Sequence, residues 1–213
     1  MADWATISSL ATAGGTLVLA VATFASVRSA NRSARLAELS LLTGLRPVLI
    51  PSRADDPVER IRFVDGQVLE VPGHGASFEV ANGNIYLAIG LRNGGAGLAV
   101  IHGWRVEPRE VPGSAGMDVP EVTDFRRQQR DLYIPAGDSG FWQGAIRDHD
   151  DRSYESMCAA AGSGAWVMVD LLYGDHEGGQ RTIARFGISP ADPGGGYEAQ
   201  VSRYWNVDRA DPR

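Results

Sequence analysis

A run of 24 uncharged residues, numbered 4–27, constrains this chain more than any other feature of its sequence. At about 1.5 Å per residue, a helix of that length spans the ~30 Å hydrocarbon core of a bilayer. The run therefore predicts a transmembrane helix, although seven serines and threonines and two glycines reduce its apolar character. One alternative is a soluble helix buried against the domain or a partner. The other is a cleaved signal peptide, which normally opens with basic residues, whereas Asp3 stands here.

The charges that flank this run predict its orientation. Arg28, Arg32 and Arg35 follow the run, whereas no Lys or Arg precedes it. The positive-inside rule then places the N-terminus outside and the β domain in the cytoplasm, in a single-pass protein of the cell membrane. The residues predicted to form the membrane anchor are Trp4, Leu17, Leu19, Val21, Phe24 and Arg28.

Four small residues recur on one face of this helix at the spacing found in dimerising transmembrane helices. Ala11 and Gly15 form one small-xxx-small pair, and Ala22 and Ser26 form a second. Such pairs let two backbones approach closely, so they predict a homodimer through the N-terminal helix. Small residues are so frequent in this segment that a chance alignment is the alternative.

The helix is expected to continue beyond the membrane. Residues 29–43 contain neither Pro nor Gly and are rich in Ala, Leu, Arg and Glu, which all have a high helix propensity. Gly44 suits a helix C-cap and Pro47 suits a stop. The sequence therefore predicts one helix from about residue 4 to residue 43.

From residue 46 onward the hydrophobic pattern alternates as in β-strands. Asp65-Gly66 between two β-like runs predicts a tight hairpin, and residues 85–91 alternate as expected for a half-buried strand. The next strand is expected to place five side chains on one face: Leu98, Val100, His102, Trp104 and Val106. Residues 154–161 form the one candidate helix of this region.

Eight or nine strands without crossover helices must pair mainly antiparallel. We therefore predict a mainly β chain: an immunoglobulin-like antiparallel β-sandwich over residues 46–213, preceded by a transmembrane and juxtamembrane helix within residues 1–45. A β-barrel is the alternative. Three segments rich in Pro, Gly and acidic residues are expected to be exposed loops: 51–58, 72–83 and 107–124.

Two turn-centred runs carry a resemblance to a known group of proteins. They are residues 91–99, Leu-Arg-Asn-Gly-Gly-Ala-Gly-Leu-Ala, and residues 172–182, Leu-Tyr-Gly-Asp-His-Glu-Gly-Gly-Gln-Arg-Thr. The chain resembles uncharacterised single-pass, membrane-anchored β-sandwich proteins of actinobacteria, over most of its length in layout. The resemblance implies an N-terminal helix and a β-sandwich, and it implies no catalytic residues because that group has no assigned activity.

Composition excludes several classes of function. A net charge of −6 argues against a general nucleic-acid binder, which would carry a basic footprint. The one cysteine, Cys158, excludes an intrachain disulfide framework and a cysteine-rich zinc site. All 20 basic residues are arginines, so a lysine nucleophile and the usual P-loop lysine are excluded. We expect no cofactor.

Two acidic clusters are the best candidates for chemistry. Asp148 and Asp150 lie two residues apart beside one predicted strand, and Asp175 and His176 follow another. Carboxylate and imidazole groups suit Mg²⁺, Ca²⁺, Mn²⁺ or Zn²⁺. These four residues are therefore the candidate ligands of a metal-dependent hydrolase, with solvated turns at strand ends as the alternative interpretation.

Three further features are interpreted more simply. His102 is expected to be a hydrogen-bonded core histidine, and Cys158 is expected to be buried and inert in a helix of small residues. Arg126, Arg127 and Arg130 form a local basic patch, which indicates either a solvated surface or a contact with anionic lipid.

The tether, the β domain and the lack of a catalytic motif together favour one function. We expect a non-enzymatic, membrane-tethered β-sandwich that binds a protein partner on the cytoplasmic face. The metal-dependent hydrolase is one alternative. The other is an extracytoplasmic carbohydrate or envelope binder, which requires the opposite topology and an exposed tryptophan such as Trp142.

Overall fold

The computed structural model of the chain describes residues 3–109, 118–191 and 196–210. It divides into two units, Met1–Gly44 and Leu45–Arg213. The described part of the first unit is one helix, and the described strands all belong to the second. The prediction of a mainly β chain with one long N-terminal helix is confirmed.

The first helix, α1, runs from Trp4 to Gly44. Its 41 residues extend about 61 Å at 1.5 Å per residue, roughly twice the thickness of a bilayer's hydrocarbon core. The part from Ile7 to Gly44 is long and apolar enough to cross a membrane. Large side chains project outward along it, with Leu17 and Phe24 exposed by 67% and 70%.

Within the uncharged run of α1, three threonine hydroxyls have hydrogen-bond partners in the helix itself. Thr12, Thr16 and Thr23 each donate a hydrogen bond to the carbonyl four residues earlier, at 2.9, 2.9 and 2.8 Å. A hydroxyl that already has a partner costs less to transfer into hydrocarbon than one without. The polar composition of the run therefore opposes membrane insertion less than the residue types alone indicate.

The second unit is built from antiparallel strands. Its described part also contains a short 3-10 helix, Val122–Asp124, and one α-helix, α2, Tyr154–Ser163. The described strands, in chain order, are β1 (Leu49–Pro51), β2 (Glu59–Arg62), β3 (Val68–Val71), β4 (Gly75–Ala81), β5 (Asn84–Asn93), β6 (Ala99–Arg109), β7 (Arg126–Arg127), β8 (Tyr133–Ile134), β9 (Ser139–Ile146), β10 (Trp166–Gly174), β11 (Thr182–Pro190) and β12 (Tyr197–Asn206). Each described pairing is antiparallel, as predicted.

Most strands belong to one sheet that folds back on itself. Its hydrogen-bonded order is β1-β5-β4-β12-β11-β10-β6-β7, with β9 pairing β5 and β8 pairing β6. The join between β4 and β12 is narrow, because only two residue pairs connect them. Side chains of β5 and β10, which are distant in this order, pack in one buried cluster. The wing of β9, β5 and β4 therefore shares its core with the wing of β12, β11, β10 and β6.

A separate hairpin, β2–β3, covers the outer face of β5. The turn between its strands contains Asp65 and Gly66, as predicted. Ile61 and Leu69 of the hairpin pack with residues of β5 in a second buried cluster. Because both faces of β5 are covered, residues 85–91 are buried throughout. The prediction of a half-buried strand is therefore wrong at this position.

A β-bulge changes which side chains of β6 face the core. Two adjacent residues of β10, 172–173, pair with residues of β6 that are two apart, so His102 is the extra residue. Ile101 and Trp104 consequently both enter the core, whereas Val100 and His102 are half-buried. The prediction that Val100, His102 and Trp104 share one face is wrong, because the bulge shifts the alternation by one residue.

One segment expected to be an exposed loop is largely a strand. Residues 72–83 contain β4, whose first four residues are buried. Ala76 and Phe78 of β4 belong to the main core, so tertiary packing overrides the loop-like composition. In the segment 107–124, β6 extends to Arg109, and residues 110–117 lie outside the described part of the chain.

Asn93 joins several backbone segments at the end of β5. Its side chain is fully buried. Its Oδ1 accepts hydrogen bonds from the N–H groups of Val48 at 3.1 Å and Gly95 at 3.0 Å. Its Nδ2 donates to the carbonyls of Gly97 at 2.7 Å and Ile134 at 2.9 Å. The amide thus uses both donors and both acceptor positions.

The glycine loop after Asn93 lies directly against the incoming chain. A Cβ atom on Gly95 would overlap the carbonyl oxygen of Arg46, and one on Gly97 would overlap that of Leu45. Only glycine permits this approach without moving backbone atoms. This packing explains why residues 91–99 combine an asparagine with glycines.

We expect Asn93→Asp to lower the free energy of unfolding by about 3 kcal/mol or more, because a carboxylate cannot donate to two buried carbonyls. The exposed Asn82→Asp is the matched control and should change it by less than about 0.5 kcal/mol. Chemical denaturation of the full chain in detergent, followed by tryptophan fluorescence, measures both. Equal effects of the two substitutions would contradict the role given to Asn93.

Candidate functional site

The two acidic clusters singled out in the sequence organise turns. Asp148 Oδ1 accepts a hydrogen bond from the N–H of Asp150 at 3.0 Å, and both residues are exposed. Asp175 Oδ1 accepts the N–H of Gly179 at 2.8 Å in the turn between β10 and β11. His176 is exposed in that turn. Asp148 and Asp175 thus act as the turn-forming residues that the alternative interpretation expects.

The four acidic and histidine candidates do not assemble into a metal site. Within residues 3–109, 118–191 and 196–210, no group of three or more His, Cys, Asp or Glu side chains is arranged to hold a metal ion. Asp148 and Asp150 follow β9, whereas Asp175 and His176 follow β10. The geometry therefore gives no support to a metal centre at these four residues.

His102 differs from the hydrogen-bonded core histidine that we expected. Its ring is half-buried at the β-bulge, and its buried Nε2 has no hydrogen-bond partner among the described residues. Burial lowers the pKa of His102, the positive charge of Arg181 lowers it further, and Asp175 opposes the shift. The folded chain therefore favours the neutral ring.

The tryptophans of the second unit do not form a solvent-facing platform. Trp142 is fully buried, Trp104 and Trp205 are 5% and 2% exposed, and Trp166 is half-buried at the start of β10. A carbohydrate binder requires an exposed tryptophan, and Trp142, the residue considered for that role, is buried in the core. Cys158 packs against the core from α2 and is half-buried, rather than fully buried as expected.

A groove of about 690 Å³ lies between the segment 126–131 and β9. Trp104 contributes to its lining, and Phe63 and Val64 border it from the tip of the β2–β3 hairpin. Its volume falls in the range of about 300–1,000 Å³ found for ligand sites. Its charged residues are Arg126, Arg127, Arg130, Arg147, Asp131 and Asp151. The lining is therefore net positive in a chain whose net charge is −6.

Arg126 is fixed in one wall of the groove. Its guanidinium pairs with Asp151 at 2.6 Å, donates to Ser153 Oγ at 2.7 Å and lies 4.9 Å from the Trp104 ring centre. Burial acts to raise the pKa of Asp151, but hydrogen bonds from Arg126 and Ser153 outweigh it and lower the pKa to about 2. This interaction makes Arg126 a rigid part of the site.

Arg147 is fixed at the side of the hairpin. Its Nε donates to Asp65 Oδ2 at 2.8 Å, and the hydroxyl of Tyr86 donates to the same oxygen at 2.7 Å. Burial acts to raise the pKa of Asp65, but these two hydrogen bonds outweigh it and lower the pKa. The network ties the hairpin tip to the end of β9, so it holds the second side of the groove in place.

The other two arginines of the groove are exposed and unpaired. Within the described residues, neither Arg127 nor Arg130 makes an ion pair with a carboxylate. The guanidinium of Arg130 lies 5.9 Å from the ring centre of Phe141. By contrast, Arg92 and Arg181 each pair with an aspartate at 2.6 and 2.7 Å. The unpaired arginines are available to an anionic ligand.

Two glutamines in the groove carry unused acceptors. The Nε2 of Gln128 donates to the backbone carbonyl of Gln143 at 3.2 Å. The Oε1 atoms of both side chains are buried and have no partner among the residues described. Gln143 is only 8% exposed. Because a buried acceptor without a partner costs free energy, the lining favours a ligand that supplies N–H or O–H donors.

Strand β9 has an unpaired edge along the groove. β5 pairs one edge of β9 over its whole length, and no other described strand pairs the opposite edge. The carbonyl of Gln143 points to that opposite edge, since it accepts the Gln128 amide. Directions alternate along an antiparallel strand, so Phe141 and Ala145 present their N–H and C=O groups to the same edge.

Sequence reasoning identified part of this groove and missed the rest. It singled out Arg126, Arg127 and Arg130 as a basic patch, but it did not place Gln143 or Arg147 beside them. The groove joins β7 and β9, which belong to different wings, so no local pattern reveals it. The one available signal is Gln143 itself, a polar residue inside the apolar run 139–146.

No protein-family model, curated protein or solved structure matches this chain. The resemblance to membrane-anchored proteins of actinobacteria therefore stays a prediction.

We expect Asp151→Asn to lower the free energy of unfolding by about 2 kcal/mol at pH 7, because it removes the main partner of Arg126. The pKa of Asp151 is about 2 in the folded chain against an ordinary 3.8. Its contribution is therefore complete above about pH 4 and falls as the pH drops toward 2. Denaturant unfolding at pH 7 and pH 3 measures the difference.

The matched control for this substitution is Asp131→Asn, which alters an exposed carboxylate of the same groove. It should leave stability within about 0.5 kcal/mol of the unsubstituted chain. A loss for Asp151→Asn that is as large at pH 3 as at pH 7 would contradict the ionic origin of its effect.

We expect His102→Gln to reduce the loss of stability on acidification. The pKa of His102 is lowered in the folded chain, so the unfolded chain takes up a proton first as the pH falls below 6.5. This uptake destabilises the unsubstituted fold in that range. The midpoint temperature of thermal unfolding should therefore fall less between pH 7.5 and pH 5.5 for His102→Gln than for the matched control, the exposed His176→Gln. An unchanged difference would show that His102 does not contribute to the acid sensitivity.

Proposed function

We propose that this chain is a membrane-tethered, non-enzymatic binding module that holds a protein partner in the groove between residues 126–131 and β9. The observation that carries the proposal is the combination of unpaired arginines, buried free acceptors and an open strand edge in one place. The Arg126–Asp151 and Arg147–Asp65 pairs support it, because they keep the walls in position without a ligand. We also propose that the folded sheet is a sandwich of immunoglobulin-like type, which the shared core of the two wings supports.

In this proposal α1 is the tether. Its length, its apolar surface and its internally bonded threonines all suit a membrane span. Arg28, Arg32 and Arg35 follow the uncharged run, so the binding domain lies on the cytoplasmic side. A second copy pairs with α1 through the face opposite Leu17 and Phe24, and the small residues of that face are Ala11, Gly15, Ala22 and Ser26.

Binding suits the lining of the groove better than catalysis does. Guanidinium and amide groups orient a ligand through charge and hydrogen bonds. A covalent mechanism requires a nucleophile next to a base. The described lining offers mainly arginines and glutamines, and of its two carboxylates, Asp131 and Asp151, the second is paired with Arg126. The partner is therefore held rather than transformed.

Site-specific photo-cross-linking in the cells of origin tests the proposed function. A photoreactive residue at the exposed Gln129, which lines the groove, should form a discrete protein adduct. The same residue at Gln200, exposed on β12 and outside the groove, is the matched control and should form none. Identical adduct patterns from both positions, or no adduct from Gln129, would contradict the proposal.

Labelling of Cys158, the chain's one thiol, tests the orientation. A membrane-impermeant maleimide should modify Cys158 only after the cells are permeabilised, because the binding domain is placed inside. A denatured sample controls for the partial burial of the thiol. Modification in intact cells would reverse the orientation and place the groove outside the membrane.

A further inference from the structure

We propose that the groove binds an extended, acidic segment of the partner protein, which adds as a new strand to the open edge of β9. This inference rests on the proposed function and specifies the chemistry and the binding mode of the occupant. Three properties of the groove lead to it: the open edge, the buried acceptors and the unpaired arginines.

The open edge of β9 offers the backbone pairing that an extended segment requires. Residues 141, 143 and 145 direct their N–H and C=O groups away from β5, toward the groove. The side-chain amide of Gln128 already donates a hydrogen bond to one of these carbonyls, that of Gln143. It thus occupies the place of one backbone hydrogen bond that a neighbouring strand would make. An added strand replaces that bond with one from a backbone N–H and continues the ladder, as in β-strand addition.

The buried acceptors select a ligand with hydrogen-bond donors. The Oε1 of Gln143 belongs to a side chain that is more than nine-tenths buried, and it has no partner among the described residues. Gln128 is half-buried, and its Oε1 atom is likewise buried and without a partner among the described residues. A peptide backbone carries an N–H on nearly every residue, whereas phosphate and lipid phosphate groups offer mainly acceptors. The groove therefore favours a peptide over a phosphate group.

The unpaired arginines favour a partner segment that carries negative charge. Arg130 lies over the ring of Phe141, a residue whose side chain is on the outer face of β9. Side chains alternate along a strand, so every second residue of an added segment faces this side. Acidic residues at those positions meet Arg130 and Arg127. The remaining residues of the added segment face the opposite side, where Trp104, packed against Trp142, contributes to the lining of the groove.

The test uses the full chain in detergent and a fluorescent eight-residue probe of alternating Glu and Val with blocked ends. Fluorescence anisotropy should show saturable binding that weakens with added salt, because the contacts include exposed charges. A Lys-Val probe of the same length should bind at least about tenfold more weakly, since it repels the arginines. A Glu-Val probe with alternate N-methyl amides should lose binding, since it cannot complete the ladder.

Two variants test separately the contribution of the arginine charges and that of the open edge of β9 to binding of the probe. Arg127→Glu with Arg130→Glu should weaken the Glu-Val probe about tenfold or more. The matched control reverses the exposed Arg53 and Arg209, which lie outside the groove, and should change affinity less than about twofold. Ala145→Pro removes an edge N–H that β5 does not use, so it should abolish binding while the fold remains intact by circular dichroism.

Several results would overturn the inference. These are equal binding of the Glu-Val and Lys-Val probes, full binding of the N-methylated probe, or equal effects of the groove and control arginine pairs. Displacement of the Glu-Val probe by soluble short-chain phosphatidylserine at comparable concentration would instead identify the groove as a lipid site.

The Gln129 photo-cross-link distinguishes this inference from the proposed function. If the adduct forms and the Glu-Val probe does not bind, the binding module stands and the acidic-strand mode fails. If the adduct is also absent, the proposed function itself fails.

Discussion

The four hydrogen bonds of the Asn93 side chain are the constraint on which the arrangement of the second unit depends. They hold the incoming segment, the glycine loop and β8 around the end of β5. Because β9 pairs with β5 over its whole length, fixing β5 also fixes the open edge of β9. The bond to Ile134 fixes β8, which follows the arginine segment 126–131 in the chain. Asn93 thus fixes the strand ends next to the groove, whereas the Arg126–Asp151 and Arg147–Asp65 pairs hold its two walls.

The groove divides its arginines between structure and binding. Arg126 and Arg147 are committed to Asp151 and Asp65, and this keeps the walls in place before any ligand arrives. Preformed walls reduce the conformational entropy that a ligand must overcome on binding. The unpaired arginines retain long side chains in solvent, which suits them to attract an acidic segment and adjust to it. Rigidity and electrostatic attraction therefore come from different residues of the same type.

The parts of the fold set by local chemistry were predictable from the sequence, and the parts set by distant contacts were not. The uncharged run predicts α1, and the alternation of apolar and polar residues between glycine turns predicts the antiparallel strands. The composition of residues 72–83 predicts a loop instead of β4, because it does not show that Phe78 packs in the core despite the neighbouring glycines. The bulge at His102 is visible only in the register against β10. The groove was only partly foreseen, because its edge residue Gln143 and its arginine segment meet through tertiary structure alone.

Amide hydrogen exchange along β9, measured by NMR on the full chain in detergent, tests most directly whether this strand has an open edge. The amides of Trp142 and Gly144 bond to β5 and should exchange slowly, whereas those of Gln143 and Ala145 should exchange at least about tenfold faster. Uniform slow exchange of all four amides would mean that the edge is already paired. It would contradict the binding mode and the function assigned to the groove.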